Sequence, residues 1–173
     1  MTIQEIYDYA NVLTETIFSD LSEVIEYMNE AQDVIANFDH VEAYPISYTL
    51  TDNHRFALPE DFLMVAHFEF EGRRIDLSPV TIWNTIMILP ETMTSGTLTM
   101  YYYKIPERLV ATDPTQVPEV KPCYHRAMSY YIAKVYHLID DDQALRAQFE
   151  QEFHRKLQEA KMPSGNIKTY HGF

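Results

Sequence analysis

Residues 97–105, TLTMYYYKI, constrain the fold of this chain most. Apart from Lys104, each is β-branched, aromatic or long and apolar, the side chains that a pleated, half-buried surface favours. Alternation puts Leu98, Met100 and Tyr102 on one face and Thr97, Thr99, Tyr101 and Tyr103 on the other. Gly96 opens the stretch through a turn, and Pro106 stops it because proline has no N–H to give to a ladder. Such a strand needs neighbours, and the upstream sequence supplies candidates. ISYTL at 46–50 alternates. Leu58-Pro59-Glu60-Asp61-Phe62 reads as a turn between two strands. FLMVAHFEFEGRRIDL reads as a hairpin turning at Glu71-Gly72-Arg73. In that hairpin Val65, His67, Glu69 and Glu71 alternate with Met64, Ala66, Phe68 and Phe70, and Arg73 and Arg74 are expected to pair with Glu69 or Glu71. Val80, Ile82, Ile86 and Ile88 favour strand in the ambiguous window 79–90. Trp83, the only tryptophan, is a core anchor or an interface residue. These pieces make an antiparallel β module over 46–105.

Helical periodicity lies on both sides of it. Residues 2–14 place Ile3, Ile6, Tyr7, Ala10 and Leu13 at helical spacing, with Thr2 and Glu5 as a capping box. Residues 20–38 carry the stripe Leu21, Val24, Ile25, Met28 and Ile35, with a polar gap at Gln32. Asn29, close to the stripe, is either a hydrogen-bonded residue at a helix crossing or a functional contact. Residues 106–122 hold four prolines and cannot be a regular element; they read as an ordered crossing. Residues 119–139 are expected to be helical, with Tyr124, Ala127, Met128, Tyr131, Val135 and Leu138 as the apolar stripe. Residues 142–161 make a fourth helix with Leu145, Phe149, Phe153 and Leu157 at four-residue steps. The last two form an antiparallel hairpin. The fold class expected is α+β: a bundle of about four helices with an inserted antiparallel β module. Residues 1–163 form a single domain, and 164–173 a flexible C-terminal arm.

Charge is unevenly placed. The 173 residues carry a net charge of −13. Residues 1–54 hold eleven Asp or Glu and no Lys or Arg. That is the reverse of a nucleic-acid footprint, which clusters basic residues. It serves solubility, or keeps a surface off a polyanion, or meets a more basic partner. One cysteine, Cys123, leaves no internal disulfide. The N-terminus has no basic region followed by an apolar run, which argues against a signal peptide. No uncharged apolar run approaches the ~20 residues of a membrane span.

The search for chemistry gives little. The histidines are His40, His54, His67, His125, His137, His154 and His171. No pair has the i, i+4 spacing of a helical metal site. Asp140-Asp141-Asp142 lacks the alternating spacing, glycine and distal glutamate of a calcium loop and reads as a helix cap. Cys123 lies near a helix start beside Lys121, His125 and Arg126, and is taken as a partly buried thiol rather than a nucleophile. There is no G-x-S-x-G and no phosphate-cradling glycine loop. The expectation is no enzyme, no cofactor and no metal.

The order of parts is informative. Asn29-Glu30-Ala31-Gln32 sits in the second helix, and Leu58-Pro59-Glu60-Asp61-Phe62 introduces the β module. Gly96-Thr97-Leu98-Thr99-Met100-Tyr101-Tyr102-Tyr103 and Pro106 follow, then Leu109 and Thr112-Asp113. Phe149-Glu150-Gln151-Glu152-Phe153 lies in the last helix. Over roughly 18–160 this resembles the head-to-tail adaptor (connector) proteins of tailed bacteriophages. The segment around Trp83 is shorter and more apolar than the family pattern, and the arm carries no family signature. The resemblance implies a structural virion protein at the head–tail joint, assembled in the host cytoplasm. It implies a homo-oligomeric ring of twelve copies that bridges the portal protein to tail or nozzle proteins. DNA passes through such a ring without sequence-specific binding, and no membrane is involved. Ile167, Lys168, Tyr170 and Phe173 in the arm are the expected partner-docking residues. Alternative readings are another neck or tail-completion protein, a stopper or a terminator, and a phage-associated glycan hydrolase.

Overall fold

The computed structural model describes residues 1–15, 18–51, 54–76, 80–93 and 95–161. Its helices and antiparallel sheets give the α+β class expected. The chain divides into two compact units, Met1–Asp39 with Glu107–Phe173, and His40–Pro106.

The first unit contains α1 (Ile3–Thr14), α2 (Ile25–Phe38), α3 (His125–Ile139) and α4 (Gln143–Lys161). α1 starts where the capping box puts it. Thr2 Oγ1 accepts from Glu5 N at 3.2 Å and Glu5 Oε2 accepts from Thr2 N at 2.9 Å. Its apolar stripe buries Ile3, Ile6 and Ala10. The expected helix 20–38 is divided: a 3-10 turn, Leu21–Glu23, precedes α2. Asp20 causes the break, because its carboxylate accepts from Ser22 N at 2.8 Å and tightens the first turn.

α3 also starts later than the sequence suggested. His125 Nε2 lies 3.2 Å from the Pro118 carbonyl and 2.9 Å from that of Val120, and Glu119 N donates to Gln32 Oε1. These bonds hold 118–120 outside any helix, and a 3-10 turn, Pro122–Tyr124, leads into α3. The apolar stripe expected on α3 is partly wrong. Leu138 is exposed and Tyr131 and Val135 are only half-buried, whereas Ser129, Ile132, Ala133 and His137 are buried. α3 packs against α1, α2 and α4, so it buries more than one face and a single stripe cannot describe it. α3 and α4 form the antiparallel hairpin, with Tyr131 on Phe153 and His137 on Phe149, both at 5.3 Å between ring centroids. On α4, Phe149, Phe153 and Leu157 are buried as spaced, but Leu145, in the first turn beside the α3–α4 connection, is exposed.

The second unit contains β1 (Val41–Glu42), β2 (Ile46–Leu50), β3 (Arg55–Ala57), β4 (Phe62–Phe70), β5 (Arg73–Ile75), β6 (Thr81–Trp83), β7 (Ile86–Ile88) and β8 (Gly96–Lys104). β8 is the middle of the larger sheet, with β4 on one side and β1 and β2 on the other; β5 lies beyond β4. The smaller sheet has the order β3-β7-β6. Leu50, Leu58, Phe68, Met87, Leu89, Leu98, Met100 and Tyr102 form one core drawn from both sheets. A buried side chain of this kind stabilises by about 1.5–3 kcal/mol relative to exposure. Leu98, Met100 and Tyr102 share the inner face of β8, as alternation required.

β4 departs from simple alternation. Val65 pairs with Tyr102 and His67 with Tyr101, so Ala66 has no opposite residue and makes a bulge. Val65 therefore joins Phe68 and Phe70 against the core, while Met64, His67 and Glu69 take the outer face. The sequence had placed Val65 with His67. The hairpin turn uses Glu71 (φ 49°) and Gly72 (φ 73°), both left-handed, as a two-residue turn between twisted strands requires. Gly96 (φ 121°) is fixed for another reason: a Cβ there would meet the Phe70 ring and the Glu71 carboxylate at 2.7 Å.

Candidate functional site

Four surfaces or clusters carry the polar and exposed apolar chemistry of the chain. The first is the proline-rich crossing. Asn29 on α2 donates from Nδ2 to Leu109 O at 3.2 Å and accepts from Leu109 N at 2.8 Å. One turn on, Gln32 donates to Glu107 O at 2.8 Å and accepts from Glu119 N at 3.1 Å. The neighbour met by both amides is the crossing itself, not another helix. Arg108 pairs with Asp33 at 2.9 Å. The α1 amides of Ile3 and Gln4 donate to the carbonyls of Gln116 and Pro114. An irregular segment is thus satisfied almost entirely by side chains and helix-end amides.

His125 is fully buried beneath this crossing, and burial holds its pKa below the ordinary imidazole value. Asp39 closes the other end, with Lys121 Nζ at 2.8 Å and Tyr124 Oη at 2.9 Å donating to its carboxylate. Burial pushes the Asp39 carboxyl up, but the bonds from Lys121 and Tyr124 outweigh it and hold it below its ordinary value. Burial and the same carboxylate push the Tyr124 phenol well up.

The second is a polar network between α1 and α3, with a separate ion-pair cluster on α4. Arg126 on α3 donates to Tyr9 Oη on α1 at 2.9 Å and lies 4.6 Å over its ring, and Tyr9 shares a bond with Tyr130. The bond to Tyr130 and the Arg126 charge hold the Tyr9 phenol below its ordinary pKa. On α4, Arg155 pairs with Glu152 and Glu159. The Tyr9 contacts fasten α1 to α3, and the Arg155 pairs lie along α4 itself.

The third is the outer face of the larger sheet. His67 stacks on Tyr101 at 4.2 Å between ring centroids, and Tyr101 Oη donates to Glu69. That carboxylate, across from Arg74 in the register, pushes the Tyr101 phenol up. Glu71 accepts from Thr97 N. A depression of about 340 Å³ lies here, bordered by Glu42, His67, Arg74, Tyr101 and Tyr103. On the inner face, burial and the hydrogen bond to Asp61 push the Tyr102 phenol up to about 12.

The fourth is apolar. Trp83 is 68% exposed, which excludes the core-anchor alternative; Ile82 beside it in the chain, Ile86 opposite it on β7 and Met64 on β4 are exposed too. Nearby, Phe62, Leu63, Met64, Val65, Val80 and Ile82 border a groove of about 370 Å³.

Among the described residues, no three His, Cys, Asp or Glu are grouped to hold a metal ion. Asp142 caps α4, accepting from Ala144 N and Leu145 N at 3.1 and 3.0 Å. Cys123 is exposed rather than partly buried, because it lies on the solvent side of the 3-10 turn whose Tyr124 faces inward. Ile167, Lys168, Tyr170 and Phe173, the docking residues expected in the arm, lie outside the described residues. The apolar groove was invisible in the sequence, since its lining joins residues within 62–68 to Val80 and Ile82, which are apart in the chain. No helix among the described residues is long and apolar enough to cross a membrane. Comparison with family models finds a match across residues 1–169 to the model described as SU10 adaptor protein. Comparison with curated proteins finds no match.

Proposed function

The chain belongs to the SU10 adaptor protein family of phage head–tail adaptors, and from that premise we propose that it forms a ring at the head–tail joint. The family is structural, and its place is the virion. In the proposed reading, residues 1–163 act as one adaptor body. Twelve copies assemble in the host cytoplasm beneath the portal, bridge it to tail or nozzle proteins, and leave a channel for DNA.

The observation that carries this reading is the family match over residues 1–169. The charge distribution supports it. Eleven acids and no Lys or Arg in residues 1–54 suit a surface past which a polyanion slides without binding, the opposite of the counterion-release attraction used by DNA binders. The basic residues concentrate later: residues 121–173 hold eight Lys or Arg against six acids. Such asymmetry favours head-to-tail contacts between copies, which close into rings when the rotation permits.

The arm is assigned the portal contact. Ile167, Tyr170 and Phe173 supply apolar anchors and Lys168 a charge, the chemistry with which a peptide docks on a partner. Reconstruction of the particle neck tests the ring: a closed ring of this chain between portal and tail is expected, and its density elsewhere refutes the assignment. Removal of residues 164–173 tests the arm separately. The thermal transition should stay in place while copies per particle fall; unchanged incorporation rejects the anchor.

A further inference from the structure

Residues 77–90 contain no Asp, Glu, Lys, Arg or His in a chain of net charge −13. Within them, β6 is exposed at all three of its residues. Among the described residues β6 has a strand partner, β7, on one side only. Uncharged apolar edges are an association hazard that proteins normally blunt with lysine, proline or a bulge. No charge blunts this one. Asn84 (φ 53°) turns the chain between Trp83 and Ile86, which face each other across the hairpin. The turn therefore presents the only tryptophan of the chain, 68% exposed, near its tip.

The apolar groove lies beside the same hairpin. Ile82 borders it and Trp83 does not. Successive side chains of a strand point to opposite faces, so Trp83 cannot turn back into the groove of its own chain. Its ring and the groove are matched in chemistry but separated by strand geometry.

We propose that the β6–β7 hairpin is a contact between copies of this chain, with Trp83 of one copy seated in the groove bordered by Phe62, Leu63, Met64, Val65 and Val80 of the next. This deepens the ring reading above and rests on it. Charge selects the occupant. Two chains each of net charge −13 repel as wholes at long range, and the uncharged hairpin and groove let them meet without juxtaposing like charges. Probe and receptor are different surfaces, so the contact is head-to-tail and repeats from copy to copy. Tryptophan is among the residues enriched at such contacts.

The test uses assembled particles in which Trp83 is replaced by a photo-crosslinking phenylalanine analogue. The expected product joins position 83 of one copy to a peptide holding residues 62–65 or 80–82 of another. Crosslinks only to a different protein overturn the proposal. So does a neck that holds several copies without any such product, and in that case the ring reading stands. A neck with one copy removes the ring reading instead, and the contact with it. The unmodified purified chain gives a second measurement, because its emission comes from Trp83 alone. Where sedimentation shows the mass rising with concentration, the emission should shift to shorter wavelength and resist acrylamide quenching. A rise in mass with unchanged emission overturns the contact.

Discussion

The proline-rich crossing and the β6–β7 hairpin invert the usual relation between regular structure and security. The crossing has no strand or helix over residues 107–121, yet Leu109 and Val120 are buried and its backbone is bonded by Asn29, Gln32 and His125. The hairpin has regular ladder bonds, yet β6 is exposed throughout and only Met87 of β7 is fully buried. Secondary structure satisfies backbone groups; it does not by itself bury side chains. The crossing is held by few, specific, long-range polar bonds, and the hairpin by the β3–β7 ladder and one fully buried side chain.

The comparison breaks first at that anchor. Met87→Ala removes a fully buried side chain from the shared core and should cost about 2–5 kcal/mol of unfolding free energy by urea titration. A loss below about 1 kcal/mol would mean that the hairpin is not tied to the core. Asn29→Ala should come next. It strands the buried N–H and C=O of Leu109, for a loss of about 2–4 kcal/mol. Gln32→Ala acts on groups nearer to solvent at Glu107 and Glu119 and should cost about 1–2 kcal/mol. If both amide variants were neutral, the crossing would be held by its other bonds and by apolar packing rather than by these amides.

A smaller effect is expected with pH. The pKa of His125 lies below 6.5 because burial disfavours the imidazolium. The unfolded chain therefore binds more protons as pH falls below about 6.5. The contribution is present in full above that value and is lost as pH falls towards the folded-state pKa. The urea midpoint should drop between about pH 7 and about pH 5, and His125→Gln should flatten the drop. An unaltered slope would assign the acid sensitivity to other groups. The smallest effect is reserved for Trp83→Ala, which should change the stability of the isolated chain by less than about 0.5 kcal/mol, as for an exposed side chain. Anything larger would show that Trp83 is not the free residue of the comparison.

Much of the fold is legible in the sequence. The two faces of β8, the Thr2–Glu5 capping box, the Glu71-Gly72 turn and the Phe149, Phe153, Leu157 stripe all depend on residues within a few positions of one another. Local periodicity and local hydrogen bonds therefore suffice. The α3 stripe was misread because α3 touches three helices. Val65 was misplaced because the unpaired Ala66 moves Val65 and Met64 to the opposite faces, until a second irregularity at Leu63 restores the phase at Phe62. Of the candidate surfaces, the sequence marked Trp83 but offered both core and interface readings, and it contained no sign of the groove.

The sequence alone determined the α+β class, the α1 capping box, the two faces of β8 and the acidic bias of residues 1–54, since each follows from spacing or composition. Only the tertiary structure decided what Asn29 and Gln32 bind, because their partners lie 75–87 residues away. It likewise decided that His125 is buried, with burial holding its pKa below the ordinary value, and that Trp83 is exposed. The physical reason is the same in each case. Hydrogen bonding and burial at these positions are set by groups that approach through the fold, and such approach leaves no period or motif in the chain.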